Sequence, residues 1–429
     1  MSDKLLELLQ DLVRIPSVNP MGRKVSDDIY YEGRMTEYLE RWFTVLSGLG
    51  VEFKRNTLEP GRDNIAAIFP GSRHWEDGGR VIMLEAHQDT VPIDGMTISP
   101  FEPIIHDGKM YGRGSCDIKG GMACMLTAFK RFVESPPAAR PTVVMACTVN
   151  EEFGKSGAAK LCDLWMEEQW FPKPAAIIVA APTLLDVVVA HKGVTRFEIE
   201  VTGTACHSSQ PALGKNAIYR MARIIQVLEQ YAGEVVGTLN KHPLVTNPTL
   251  NVGMIEGGIS VNTVPARCSI EVGRRTSPTE IPEEAYHHIL DYVRQNIADE
   301  QWAQDVIFHK PTISCGGLSA QFNGEFASYV QSVVQQAGYA GQRIGVPYGT
   351  DAQAFSLHQI ATVVLGPGSI DQAHTKDEWI EVEQLTAAAE LYYQLITQFG
   401  AYYSVASESF AHKRRRHSEV RIRVPPKIR

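Results

Sequence analysis

Short apolar runs recur along this chain, at 81–85, 142–149, 175–180 and 361–365. Each reads as a buried strand. Helical spacing fills the intervals between them. Leu5, Leu6, Leu8, Leu9, Leu12 and Val13 predict an amphipathic helix over 3–14, closed by Pro16. Further helices are expected over 32–49, ended by Gly50, and over 119–132, 322–337 and 381–399, with additional strands over 51–55 and 64–69. Buried strands alternating with helices imply an α/β fold whose sheet is mixed but mostly parallel, flanked by helices.

From His191 the order changes. A strand at 194–201, a helix at 215–231, strands at 249–255 and 266–274, a helix at 279–299 and a strand at 306–309 run β-α-β-β-α-β, the split-βαβ sandwich. This α+β unit has the size of a small independent domain, and helix and buried strand resume after it, so it is read as inserted. A chain of 429 residues is too long for one ordinary core. The expected division is a first part of the main domain over 1–190, the inserted domain over 191–310, the second part over 311–411 and a tail over 412–429. The tail opens on His412-Lys413-Arg414-Arg415-Arg416-His417 and reads first as solvated, disordered chain, with anion or nucleic-acid contact as the second reading.

Composition removes several function classes. A net charge of −8 gives the body no case as a nucleic-acid binder. No apolar stretch approaches membrane-spanning length, and Met1-Ser2-Asp3-Lys4-Leu5 lacks the basic-then-apolar layout of a signal peptide. The seven cysteines are scattered, without a C-x-x-C pair, as reduced thiols in a cytoplasm would be. There is no G-x-S-x-G elbow, H-E-x-x-H pair or Walker loop.

What remains is a set of imidazoles and carboxylates placed where strands end. The run 81–85 passes into His87 and Asp89, which lie on one side of an extended chain. An Asp so placed can orient the ring of a ligating His. Gly112-Arg113-Gly114 is a turn that delivers Asp117 and opens a helix at Lys119-Gly120-Gly121. The run 142–149 ends in Asn150-Glu151-Glu152-Phe153-Gly154. Adjacent carboxylates at a strand end point to opposite sides, so one can ligate a metal while its neighbour faces water or substrate. Gly366-Pro367-Gly368-Ser369 leads to His374. Strand ends on one rim of a parallel sheet converge, and this donor set is what a hydrolytic zinc site needs.

With their neighbours these residues make up HQDTVP at 87–92, YGRGSCDIKGG at 111–121, NEEFG at 150–154 and HKG at 191–193. HSSQPALGKNAI at 207–218, PTLNVGMIEGG at 248–258, NTVPARC at 262–268 and GPGSIDQAHTKDE at 366–378 follow. In that order they resemble the co-catalytic zinc amidohydrolases: acetylornithine deacetylase, succinyl-diaminopimelate desuccinylase, aminoacylase and glutamate carboxypeptidase. The wording is closest to the acetylornithine deacetylase branch. The resemblance implies a zinc-exopeptidase type fold, with a homodimer formed through the inserted domain. It implies two metals, zinc or cobalt, with His87 on the first, Asp117 bridging, and Glu152 and His374 on the second. Asp89 would orient His87, Glu151 would be the general base, and the peptide bond between Asp117 and Ile118 would be cis. His207 would reach a partner subunit's active site and polarise the scissile carbonyl. Asn262 and Arg275 would meet the substrate carboxylate, and Gly366 and Gly368 would line the substrate pocket. In the inserted domain, Ile199 and Val201 alternate with Glu198 and Glu200 as an edge strand does.

One position departs from the family pattern. Members carry Glu or Asp just before the Pro-Thr that follows the fourth strand, as a ligand of the first metal; this chain has Ala181. A methyl group cannot coordinate zinc, and a catalytic zinc usually has three protein ligands, so about one tight metal is expected here. Asp186, the nearest carboxylate downstream, is not expected to substitute. The function implied is a metal-dependent amidohydrolase that removes the acyl group of an N-acyl amino acid, with Glu151 activating water. The alternatives are a dipeptidase or carboxypeptidase of the same chemistry, or a variant impaired or non-catalytic because of Ala181.

Overall fold

In the computed structural model, which describes residues 2–298 and 300–417, the apolar runs form the middle of one large sheet. The chain opens with α1 (Ser2–Arg14), α2 (Gly33–Ser47), β1 (Glu52–Glu59), β2 (Arg62–Phe69), β3 (Val81–His87), β4 (Ile104–His106) and β5 (Lys109–Tyr111). Then come α3 (Lys119–Glu134), β6 (Thr142–Thr148), α4 (Ser156–Leu161), α5 (Asp163–Met166), β7 (Ala176–Val179) and β8 (Val187–His191). The next group is β9 (Gly193–Thr202), α6 (Ala217–Gln230), β10 (Thr249–Gly257), β11 (Arg267–Thr276), α7 (Pro282–Asn296), β12 (Val306–Phe308) and β13 (Ile313–Cys315). The chain closes with α8 (Gly324–Gln336), β14 (Arg343–Val346), α9 (Ala352–Leu357), β15 (Ala361–Val364), β16 (Trp379–Glu381) and α10 (Val382–His417).

The large sheet has eight strands in the order β1-β2-β6-β3-β7-β15-β8-β14. Its centre is parallel: β3 pairs with β6 and β7, and β7 with β15. Every residue of β3, β6, β7 and β8 is buried, which is why these strands carry no alternation. Leu5, Leu9, Phe43, Phe129, Phe132, Tyr392 and Phe399 cover one face, from α1, α2, α3 and α10. Trp165, Phe171 and Phe355 cover the other. Burying one such ring contributes roughly 2–3 kcal/mol. The fold is thus the mixed, mostly parallel α/β layer expected from the sequence.

A second sheet, β10-β11-β9-β12, is antiparallel throughout, and β13 also pairs with β9. Phe197, Ile199 and Val201 of β9 pack with Ile224 and Leu228 of α6 and Ile289 and Val293 of α7. The opposite face carries Arg196, Glu198 and Glu200. The alternation on β9 therefore marks a sheet covered on one side and not an edge: β9 lies between β11 and β12, and β10 and β12 are the edges. At the other end of the chain, α10 continues to His417. The basic cluster at 412–417 thus extends a helix where disordered chain was expected, and 418–429 lie outside the described residues.

Candidate active site

β3 ends at His87, and three loops converge on that imidazole. Its Nε2 lies 3.3 Å from Asp117 Oδ1, and Asp117 Oδ2 lies 3.3 Å from His374 Nε2. His374 Nε2 is also 3.3 Å from Glu152 Oε2. Asp117 therefore stands between two imidazoles, and its peptide bond to Ile118 is cis. One donor atom each from Asp117, Glu152 and His374 lie within 4.8 Å of one another, as do those from His87, Glu151 and Glu152.

Electrostatics follow from this crowding. Burial opposes the charge on Asp117, but hydrogen bonds from His374 and His87 hold its carboxyl well below the usual range. Asp117 and then Glu152 push His374 up to about 11. Burial raises Glu152 to about 7. Glu152 Oε1 is buried with no hydrogen-bond partner among the described residues. Clustered carboxylate and imidazole donors with an unsatisfied buried oxygen fit a divalent cation held by oxygen and nitrogen.

Asp89 does more than orient a ring. His87 Nδ1 is 3.0 Å from the Asp89 carbonyl oxygen and 3.5 Å from its carboxylate. The carboxylate accepts from Asn19 Nδ2 at 2.8 Å, from the Glu151 amide at 3.1 Å and from the Glu152 amide at 3.0 Å. It thereby fixes the turn that bears both glutamates. That turn is not strand: β6 stops at Thr148 and Asn150 has φ +60°. The expectation that Glu151 and Glu152 point to opposite sides fails for this reason, since both reach His87.

Sequence reasoning missed several supporting groups. Glu378, buried just before β16, accepts from Arg113 Nη1 at 2.6 Å and from the amides of Gly114 at 3.0 Å and of Cys116 and Asp117, each at 2.9 Å. It clamps the loop that delivers Asp117. Lys155 donates to the Glu151 carboxylate and, at 3.1 Å, to its carbonyl oxygen. Behind the site, Thr148 Oγ1 lies 2.6 Å from Glu85 and 2.9 Å from Asp351. Glu378 and Arg113 lie within motifs quoted above, but their roles, like those of Lys155, Thr148, Glu85 and Asp351, emerge only where the loops converge.

A cavity of about 270 Å³ opens over the donor set. His87, Asp117, Glu151, Glu152 and His374 line it from the main sheet and its loops, and Arg196 and Arg275 from the second sheet, together with Tyr348 and Ala181. Ala181 thus lines the cavity, without a side-chain oxygen to offer. Asp186 is engaged elsewhere, accepting from the Gln342 amide at 2.8 Å. Gly366 and Gly368 do not line the cavity. A Cβ on Gly366 would stand 2.4 Å from the Ala181 carbonyl oxygen, and one on Gly368 would stand 2.6 Å from Cys116 Sγ. They permit close loop packing instead. His207 and Asn262 are exposed, on neighbouring loops joined by the Ser208 amide and the Asn262 carbonyl at 3.0 Å, and do not line this cavity.

An α/β sheet whose strand ends gather imidazoles and carboxylates around a cation-shaped set defines a metallohydrolase of peptides or amides. Peptidase family M20/M25/M40 matches residues 83–398, and the chain belongs to that family. It is 30% identical over 337 residues to acetylornithine deacetylase of Myxococcus xanthus, covering 78% of this chain and 84% of that protein. A tripeptidase from Staphylococcus aureus superposes with a TM-score of 0.73 at 20% identity, covering 94% of this chain and 99% of that one. A dinuclear metal-binding peptidase of family M20 from Bacillus subtilis superposes at 0.67 with 18% identity, covering 94% and 99%. These two structures speak for the fold alone. Among the described residues no helix is long and apolar enough to cross a membrane.

Proposed function

We propose that this chain removes the acyl group of an N-acyl amino acid, as a metal-dependent amidohydrolase of the acetylornithine deacetylase kind. The observation that carries the reading is the Asp117 carboxylate held between His87 and His374, with Glu151 and Glu152 beside it. Asp117, Glu152 and His374 would hold one divalent cation, zinc or cobalt, tightly. His87 and Asp117 form a second, weaker place, because Ala181 brings no donor. A bound cation supplies Lewis acidity toward water and the amide carbonyl. Glu151 takes a proton from the attacking water and returns it to the leaving amine. Arg275 receives the substrate carboxylate.

His207 and Asn262 act, in this reading, from a second copy of the chain, which explains why they are exposed and away from their own cavity. The residues that support a homodimer are apolar and exposed: Met254 and Ile255 on the edge strand β10, and Ile259 and Val261 just beyond it. Residues 191–310 would then serve as the dimerisation domain and 1–190 with 311–411 as the catalytic one. The seven unpaired cysteines support a reducing, cytoplasmic setting. A dipeptidase or carboxypeptidase is the second reading, favoured by Arg275, which suits a peptide's terminal carboxylate equally.

The test is hydrolysis of N-acetyl amino acids and of dipeptides by protein supplied with zinc or cobalt, with and without chelator. Chelator-sensitive release of acetate supports the first reading, and preference for dipeptides supports the second. A folded, metal-binding protein inert on both panels contradicts the proposed activity and marks Ala181 as disabling.

A further inference from the structure

The cleft has an acidic side, which holds the donor set, and a basic side. The basic side is the face of β9 and β11 turned away from α6 and α7. In the register of that pair, Val194 stands opposite Arg275 and Gly273 opposite Arg196. Arg196 and Arg275 are therefore diagonal neighbours on one face, with only a glycine hydrogen beside Arg196. Both line the cavity that holds Glu151 and His374.

Both differ from the arginines that are held by acids. Arg62 pairs with Glu32, Arg113 with Glu378, Arg220 with Asp305, and Arg267 with Glu198 and Glu200. Arg274, next in sequence, is fully buried and bound to Glu280 at 2.7 Å. Among the described residues, neither the Arg196 nor the Arg275 guanidinium has a hydrogen bond or a carboxylate. Burial, and after it the charge of Arg196, draws Arg275 below the ordinary arginine range. Lys192 adds to the same positive field, with its ammonium on the Asn247 carbonyl oxygen at 2.5 Å. Unneutralised like charges in a partly desolvated cleft repel one another, and a bound anion relieves that repulsion.

Resting on the amidohydrolase reading above, we infer that the substrate carries two anionic groups, one received by Arg275 and the other by Arg196. Each planar guanidinium matches one carboxylate with two parallel hydrogen bonds, so the pair suits a dicarboxylate better than a single acid. The class is an amide whose amino acid has an acidic side chain, or whose acyl group ends in a carboxylate. Arg196 is then the residue that sets specificity. A substrate with an extra ammonium group is repelled by the same wall.

Two matched pairs of compounds test this: N-acetylglutamate against N-acetylglutamine, and N-succinylglycine against N-acetylglycine. Calorimetric titration of zinc-supplied Glu151→Gln protein reads binding without turnover, and kcat/KM of the parent reads the reaction. In at least one pair the dianion should be preferred by about 10- to 100-fold, the usual effect of one charge-assisted hydrogen-bonded contact. Arg196→Gln, on an exposed position of a paired strand, should remove that preference by weakening the dianion of the pair far more than the monoanion. Equal binding within both pairs overturns the inference, as does an Arg196→Gln loss that falls equally on dianion and monoanion. Preferential binding without hydrolysis leaves this inference standing and removes the amidohydrolase reading; hydrolysis without preference does the reverse.

Discussion

Thr148 has one hydroxyl proton, but two carboxyl oxygens lie within its reach, on Glu85 and on Asp351. Both contacts are hydrogen bonds only when one of those acids carries a proton. Burial agrees: it raises Glu85 to about 7 and Asp351 well above its ordinary value. An acid with a raised folded value stabilises the fold fully below its unfolded value of 4.5, and that contribution is lost as pH rises through about 7. Glu85→Gln keeps a partner for Thr148 and removes the titration. Its melting temperature should match the parent at about pH 4.5 and exceed it at alkaline pH, by roughly 1–3 kcal/mol of stability. Thermal melts across pH decide; parallel curves would show that Glu85 does not titrate there. Ala181→Glu makes the second residue-scale case. It should raise tight metal from about one to about two per chain and increase turnover, given that three protein ligands complete a catalytic site. Elemental analysis of both forms checks it, and two tight metals in the parent would mean that another group already fills the place. His87, Asp117, Glu152 and His374 were legible in the sequence because each follows a buried strand or a Gly-rich turn within a recognisable motif. Lys155 and Arg196 were not, since a lone basic residue has no local pattern until the fold shows what it faces.

At the scale of elements, the loop carrying Asp117 is held by an acid more than 260 residues away. Glu378 precedes β16, whose pairing with β5 fixes it under the turn at Gly112 to Asp117. Glu378→Ala leaves Arg113 buried without its carboxylate, at a cost of about 3–5 kcal/mol. Melting temperature and metal content should fall together; an unchanged melt would show that the loop holds itself. The buried strands and long helices were plain from apolar runs and helical spacing. β4, β5 and β16 are three residues each, shaped by pairing with distant chain rather than by local pattern. β8 was expected only as the strand beside Asp186, without bounds, because its five buried residues sit directly before β9 and run into it. The β9 alternation was read correctly as one-sided but wrongly as an edge, because periodicity reports which faces are covered and not which neighbours a strand has.

For the whole molecule, the acidic rim of one sheet and the basic face of the other make a single cleft, while His207 and Asn262 stand apart from it. That separation is the reason to expect two copies. Sedimentation should give a dimer, and Ile259→Asp with Val261→Asp should give a folded monomer with little turnover. A fully active monomer would remove His207 from the reaction. The most direct measurement is metal content and turnover side by side in the parent, Glu151→Gln and His374→Ala. The expected result is tight metal in the first two and not the third, with turnover in the parent alone. Undiminished metal and turnover in His374→Ala would contradict a cation centre built on Asp117, Glu152 and His374.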